Sequence, residues 1–171
     1  IESMRDELVQ LTQDLIRIPT LNPPGECYRD ICDYLDTRLT RHGFDTQLVR
    51  AHGAPGDSDK YPRWNIIAHK SGHHPGECVH FNSHTDVVEV GHGWTFDPFG
   101  GEISDGKIYG RGACDMKGGL AASIIAAEAF IAEFPAFPGR IEIARTADAE
   151  PGGSGRVAHP EEAGVCAPAR R

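Results

Sequence analysis

Basic charge is what this sequence has least of: 17 Lys and Arg stand against 25 Asp and Glu, a net charge of -8. Such a surface repels phosphate backbones and anionic lipid, so no nucleic-acid partner and no membrane partner is expected. Long apolar runs are missing too. Nothing approaches the roughly 20 residues that a bilayer-spanning helix needs, and the opening Ile1-Glu2-Ser3-Met4-Arg5-Asp6-Glu7 lacks the apolar core of a secretion signal. A cytoplasmic location is expected. Cys27, Cys32, Cys78, Cys114 and Cys166 are odd in number and include no CxxC pair, which argues against a disulfide framework or a thiolate zinc knuckle. Free thiols are the expectation. No internal repeat or low-complexity tract is present.

What the sequence does have is enough apolar content, 39% of 171 residues, for one buried core. Ser3 and Asp6 ahead of Leu8, Leu11, Leu15 and Ile16 read as a capped amphipathic helix stopped near Pro19. Ile31, Leu35 and Leu39 mark a second helix that Gly43 closes. Stretches 44–50, 64–69 and 78–81 have strand character. Asp105-Gly106 centres a hairpin, 117–134 is an Ala-rich helix, and 140–146 alternates as a strand does. Strands interleaved with helices predict an α/β fold, with a mostly parallel central sheet flanked by helices on both faces. The periodicity fades after Gly152 and no element is assigned over 153–171. The chain starts at Ile1 without Met and ends in Ala167-Pro168-Ala169-Arg170-Arg171, so the fold is expected to be incomplete at its C-terminus.

Chemistry-bearing residues fall where α/β folds place their ligands, in loops after strands. His84 and Asp86 occur in Asn82-Ser83-His84-Thr85-Asp86-Val87-Val88. A carboxylate two positions after a histidine can orient its ring for a metal, although a lone HxD is more often a surface or capping pair. Asp115 stands in Gly110-Arg111-Gly112-Ala113-Cys114-Asp115-Met116-Lys117-Gly118-Gly119, just before a helix, where an N-cap is the plainer reading. Glu150 follows the last strand within Asp148-Ala149-Glu150-Pro151, and alone reads as a solvated loop acid.

Together, His84-Thr85-Asp86-Val87-Val88, Trp94-Thr95-Phe96-Asp97-Pro98-Phe99, Asp105-Gly106-Lys107-Ile108-Tyr109-Gly110-Arg111-Gly112 and Asp115-Met116-Lys117-Gly118-Gly119 keep the order and spacing of a known family. They resemble the zinc-dependent aminoacylase, acetylornithine deacetylase, succinyl-diaminopimelate desuccinylase and carboxypeptidase G family over most of residues 3–153. That resemblance implies a zinc-exopeptidase-like sandwich and a metal-dependent hydrolase cleaving the amide bond of N-acyl amino acids. It also implies that His84 and Glu150 bind one metal, Asp115 bridges two, and Asp86 is the catalytic-site acid that orients His84. The intact family site holds two Zn²⁺, with Co²⁺ a possible substitute; no organic cofactor is implied.

Two departures matter. The family's general base precedes Glu150, and here that position is Ala149. The remaining second-metal ligands, a lid and dimerisation domain and a late histidine would follow in the family; His159, Glu161 and Glu162 do not match their spacing and are read as surface residues. Residues 1–171 are therefore expected to be part of a catalytic domain, holding one zinc or none, inactive alone, with a small-molecule N-acyl amino acid as substrate of the intact protein and a homodimer only where the missing domain is present. A catalytically dead metal-binding or scaffold module, and a dipeptidase or carboxypeptidase of the same family, are the rival expectations.

Overall fold

The computed structural model describes residues 4–147. Helix α1 spans Arg5–Arg17 and helix α2 Tyr28–Arg41. Gly43, at φ 79°, follows α2, and the Phe44 N–H closes back on the Leu39 carbonyl at 3.0 Å, the end that a glycine after the last helical turn permits. Ser3, the expected cap of α1, lies outside the described residues.

Strands β1 (Asp45–Arg50), β2 (Trp64–Ser71), β3 (His74–His84) and β6 (Pro138–Thr146) form one sheet in the order β1-β2-β6-β3. Strands β4 (Glu102–Ser104) and β5 (Lys107–Tyr109) form a separate hairpin. Asp105 and Gly106 both have positive φ, 50° and 73°, the requirement of a two-residue turn of the primed type, so the Asp-Gly reading holds. Helix α3, Gly118–Glu133, connects the hairpin region to β6.

The α/β class is as expected, but the described sheet is mixed: β1 with β2 and β2 with β6 are antiparallel, and only β3 with β6 is parallel. The reason is connectivity. Strands β1 and β2, joined through residues 51–63 with no helix between them, turn back on one another, whereas β3 reaches β6 through α3, a crossover long enough for a parallel return. Strand β3 also begins at His74, earlier than the expected 78, because Pro75 and Gly76 sit in its irregular first half on the sheet edge, where a missing N–H costs no ladder bond.

One cluster of buried residues joins Leu11 and Leu15 of α1, Ile31, Leu35 and Leu39 of α2, Leu120 and Ile124 of α3, and Ile66, Ala68, Ile141 and Ile143 of the sheet. The paired positions Ala68, Ile143 and Phe81 put all three helices over a single sheet face. Among the described residues the opposite face carries no helix, in contrast to the expected two-sided cover. It bears instead a polar row in register, Asp45, His69, Glu142 and His80, in which the His80 ring donates from Nδ1 to Glu142 Oε1 at 2.7 Å. Cys27, Cys32 and Cys114 are free, as expected; Cys78 is disulfide-bonded, contrary to the expectation of free thiols throughout.

Candidate metal centre

His84 is the last residue of β3 and pairs with Thr146, the last of β6, so the parallel pair delivers it to the carboxyl end of the sheet. Two bonds then fix the exit from β3. The Val87 N–H donates to Thr20 O, and the Asn22 N–H donates to Val87 O, both at 2.9 Å. Asp115 arrives from another direction, in a kinked turn over Ala113–Lys117 where its own backbone is extended (φ -130°, ψ 100°) and its peptide to Met116 is cis. It is not a helix cap: α3 starts at Gly118 with Lys117 as its N-cap residue, so the capping reading of Asp115 fails. Gly112 opens this turn at φ 85°, and a Cβ there would stand 2.6 Å from Val87 Cγ1, so both conformation and close approach call for glycine.

The structure brings three of the sequence-derived residues together. His84 Nε2 lies 3.1 Å from Asp115 Oδ1, while on its other side Nδ1 is 3.4 Å from Asp86 Oδ1 and 3.2 Å from Asp86 O. The acids differ sharply, since the Asp86 side chain is 0% exposed and that of Asp115 is 76% exposed. Hydrogen bonding to Asp86 raises the His84 pKa above its ordinary value against the opposing effect of burial, with the charges of Asp86 and Asp115 acting in the same upward sense. With the Nδ1 proton committed to Asp86, a neutral ring turns its Nε2 lone pair toward a carboxylate oxygen. Two acceptors at that distance repel unless a proton or a metal cation lies between them.

Behind this cluster is a polar layer that residue spacing did not reveal. Arg145, 1% exposed, sits on the helix-facing side of β6, donates from Nε to Thr85 Oγ1 and from Nη1 to Trp64 O, and lies 5.0 Å from the Tyr28 ring. The Thr20 hydroxyl donates to the Thr85 carbonyl. Lys117 is 0% exposed and donates from Nζ to Ile18 O at 2.7 Å; burial, with the nearby Arg145 charge, pushes its pKa down to about 7. The available signal for Arg145 was its place at an apolar-parity position after Ile141 and Ile143.

Glu150 lies outside the described residues, as do Asp148, Ala149, His159, Glu161 and Glu162. Among the described residues no group of three His, Cys, Asp or Glu side chains is arranged to hold a metal ion, so the convergence seen is a pair of donors with Asp86 behind one of them. A cavity of about 440 Å³ beside Trp94, Phe96 and Tyr109 and another of about 430 Å³ beside Phe130, Phe134 and Phe137 are lined by none of the three. No described helix is long and apolar enough to cross a membrane.

Comparison with known proteins bears on this arrangement directly. The profile of peptidase family M20/M25/M40 matches residues 80–168, more than half of the chain. Succinyl-diaminopimelate desuccinylase 2 of Ruegeria sp. (strain TM1040) is 41% identical over 147 residues, which cover 84% of this chain and 34% of that protein. The succinyl-diaminopimelate desuccinylase of Cereibacter sphaeroides (strain ATCC 17025 / ATH 2.4.3) is 43% identical over 129 residues, 74% of this chain and 31% of that protein. Among solved structures, human carnosine dipeptidase 1 superposes with a TM-score of 0.76 at 27% identity, covering 94% of this chain and 36% of that one. An M20 family metallo-carboxypeptidase from Sulfolobus solfataricus shares the fold, with a TM-score of 0.72 at 21% identity over 86% of this chain and 32% of that one. The chain thus spans about a third of the length of these relatives. With the profile match covering the end of β3 that carries His84 and the turn that carries Asp115, the chain belongs to peptidase family M20/M25/M40.

Proposed function

We propose that this chain is the metal-binding part of a zinc-dependent amidohydrolase that cleaves the amide bond of N-acyl amino acids, of the desuccinylase and deacetylase type, and that it does not turn over by itself. The observation that carries the metal reading is the 3.1 Å approach of His84 Nε2 to Asp115 Oδ1, with Asp86 on the far ring nitrogen. Two donors about 2.0–2.1 Å from one tetrahedral zinc stand roughly 3.3 Å apart, so these side chains fit a shared ion with little movement. His84 and Asp115 would hold it together with Glu150, and Asp86 fixes the tautomer that leaves Nε2 free to ligate. When bound, zinc supplies Lewis-acid polarisation of the scissile carbonyl and acidifies water.

The chain's own residues supply less than a full site. At the position that the family resemblance assigns to the general base, the Ala149 methyl cannot accept a proton, and absence of such a base costs on the order of 10²–10⁴ in rate. That residue favours a second reading, a catalytically dead metal-binding module with the fold retained. Substrate selectivity for N-succinyl-diaminopimelate is supported by the names of the two desuccinylases.

Elemental analysis and a hydrolysis assay test both readings. Dialysed protein is expected to hold at most one zinc per chain and to show no zinc- or cobalt-dependent hydrolysis of N-succinyl-diaminopimelate, N-acetylornithine or simple N-acyl amino acids above a metal-only control. Two tightly held zincs, or measurable hydrolysis, would redraw the roles around Glu150. Zinc binding unaffected by His84→Ala would remove the metal site altogether.

A further inference from the structure

Between Asp86 and Asp115 the chain leaves the candidate site and comes back. The outward part holds Gly91 and Gly93, both at positive φ with open space around them, and Trp94, which is solvent-exposed. The returning part includes the β4–β5 hairpin, which pairs with no other strand. The Arg111 side chain ties the neck of this excursion, whose returning part is also held to α1 where Gln13 donates to Gly101 O and Arg17 donates to Gly100 O. Arg111 donates from Nη2 to Glu89 O at 2.9 Å and Val90 O at 3.4 Å, while its guanidinium carbon lies 5.2 Å from the centre of the Trp94 ring. The Trp94 indole N–H donates to the same Val90 carbonyl, and the Arg111 N–H donates to Pro98 O at 2.7 Å.

Position at the site is fixed unequally on its two sides. The His84 side has the sheet register and the Val87 bonds to 20–22. Asp115 has no comparable packing, since its side chain is 76% exposed, so its backbone on either side must place it. On the C-terminal side Lys117 does so through Ile18 O and Gly112 O. On the N-terminal side lies Gly112, a backbone pivot, and immediately before it Arg111.

We infer that Arg111 is a positioning residue for the metal site: by stapling the neck of the excursion it holds the Asp115 carboxylate at a separation from His84 that one ion can bridge. The inference rests on the metal reading proposed above. A flexible loop left open at its neck gains entropy that the two donors must give up when an ion joins them, so loss of the staple weakens binding without touching a ligand.

The test uses the full 171-residue chain, titrated with Co²⁺ and followed by visible absorption, in wild type, Arg111→Met and Arg111→Lys, with amide hydrogen exchange measured on the same three proteins. Arg111→Met is expected to weaken cobalt binding about tenfold or more, to alter the visible band, and to speed exchange over 113–116 with α2 unchanged. Lysine keeps a cation over Trp94 and one donor, and is expected to recover part of the loss. Wild-type affinity, band and exchange in Arg111→Met would overturn the inference, as would faster exchange throughout, α2 included, which marks a general structural role. If the wild-type chain gives no cobalt band, the metal reading falls by itself, and the exchange comparison still decides the role of Arg111: faster exchange confined to 113–116 upholds it, unchanged exchange ends it.

Discussion

The rear and the front of the candidate site are built differently. At the rear, Asp86 is wholly buried and is backed by Thr85, Thr20, Arg145 and Lys117, each held by hydrogen bonds inside the core. At the front, Asp115 is mostly exposed and is placed by a kinked turn and an arginine staple across a surface loop. On the proposed metal reading, the rear sets ring orientation and tautomer, which must not vary, and the front sets a distance that an arriving ion would adjust. Protein interiors resist displacement while loops yield to it, so the two donors of one pair answer to different forces.

The sharpest break in that comparison is removal of the shared donor. His84→Ala is expected to weaken cobalt or zinc binding by more than about 100-fold with the fold intact, as read by calorimetric titration alongside circular dichroism. Next comes the rear itself. Arg145→Ala leaves Thr85 Oγ1 and Trp64 O without their donor and opens a cavity beside Tyr28, so stability should fall by about 3 kcal/mol in urea titration. A change confined to metal affinity would mean that the rear is not a stability element.

Asp86→Asn should cost metal affinity about 10–100-fold at little cost in stability. It also removes the largest cause of the raised His84 pKa, so the pH below which protons displace the metal should move downward in the variant, a shift that cobalt titrations between pH 5 and 8 can read. An unchanged pH profile would mean that Asp86 does not control the ring.

The smallest effect concerns Lys117. Its folded pKa of about 7 lies below the ordinary 10.5, so the unfolded chain holds a proton that the folded chain has released across that interval. Its contribution to stability is therefore full above the ordinary value and is lost as pH falls toward about 7. Comparing urea midpoints of wild type and Lys117→Met from pH 7 to 10 should show the wild type gaining on the variant as pH rises; parallel curves would place the lysine in contact with water.

Local pattern carried much of this fold. The 3.6-residue period of Leu8, Leu11 and Leu15, the repeat of Ile31, Leu35 and Leu39, and the Asp105-Gly106 turn each matched their elements because neighbouring residues dictate them. Strand direction did not, since it depends on which distant segments pair: only the position of β6 between β2 and β3 makes the sheet mixed. Motif resemblance singled out His84, Asp86 and Asp115, which converge. It included Lys117 without giving it a role and did not single out Arg145; their places come from burial, a property that a lysine or arginine letter does not display. The metal roles of the first three, and of Glu150, rest on the proposal.

The β4–β5 hairpin, which among the described residues pairs with no other strand and is turned by Asp105-Gly106, is the natural place to add material to this protein. A peptide tag or dye spliced at that turn lengthens a two-residue reversal and leaves the four-stranded sheet and its register alone. Because the same excursion is tied at its neck to Arg111, such a label would move with the staple, giving a reporter of neck opening that sits away from the donors themselves.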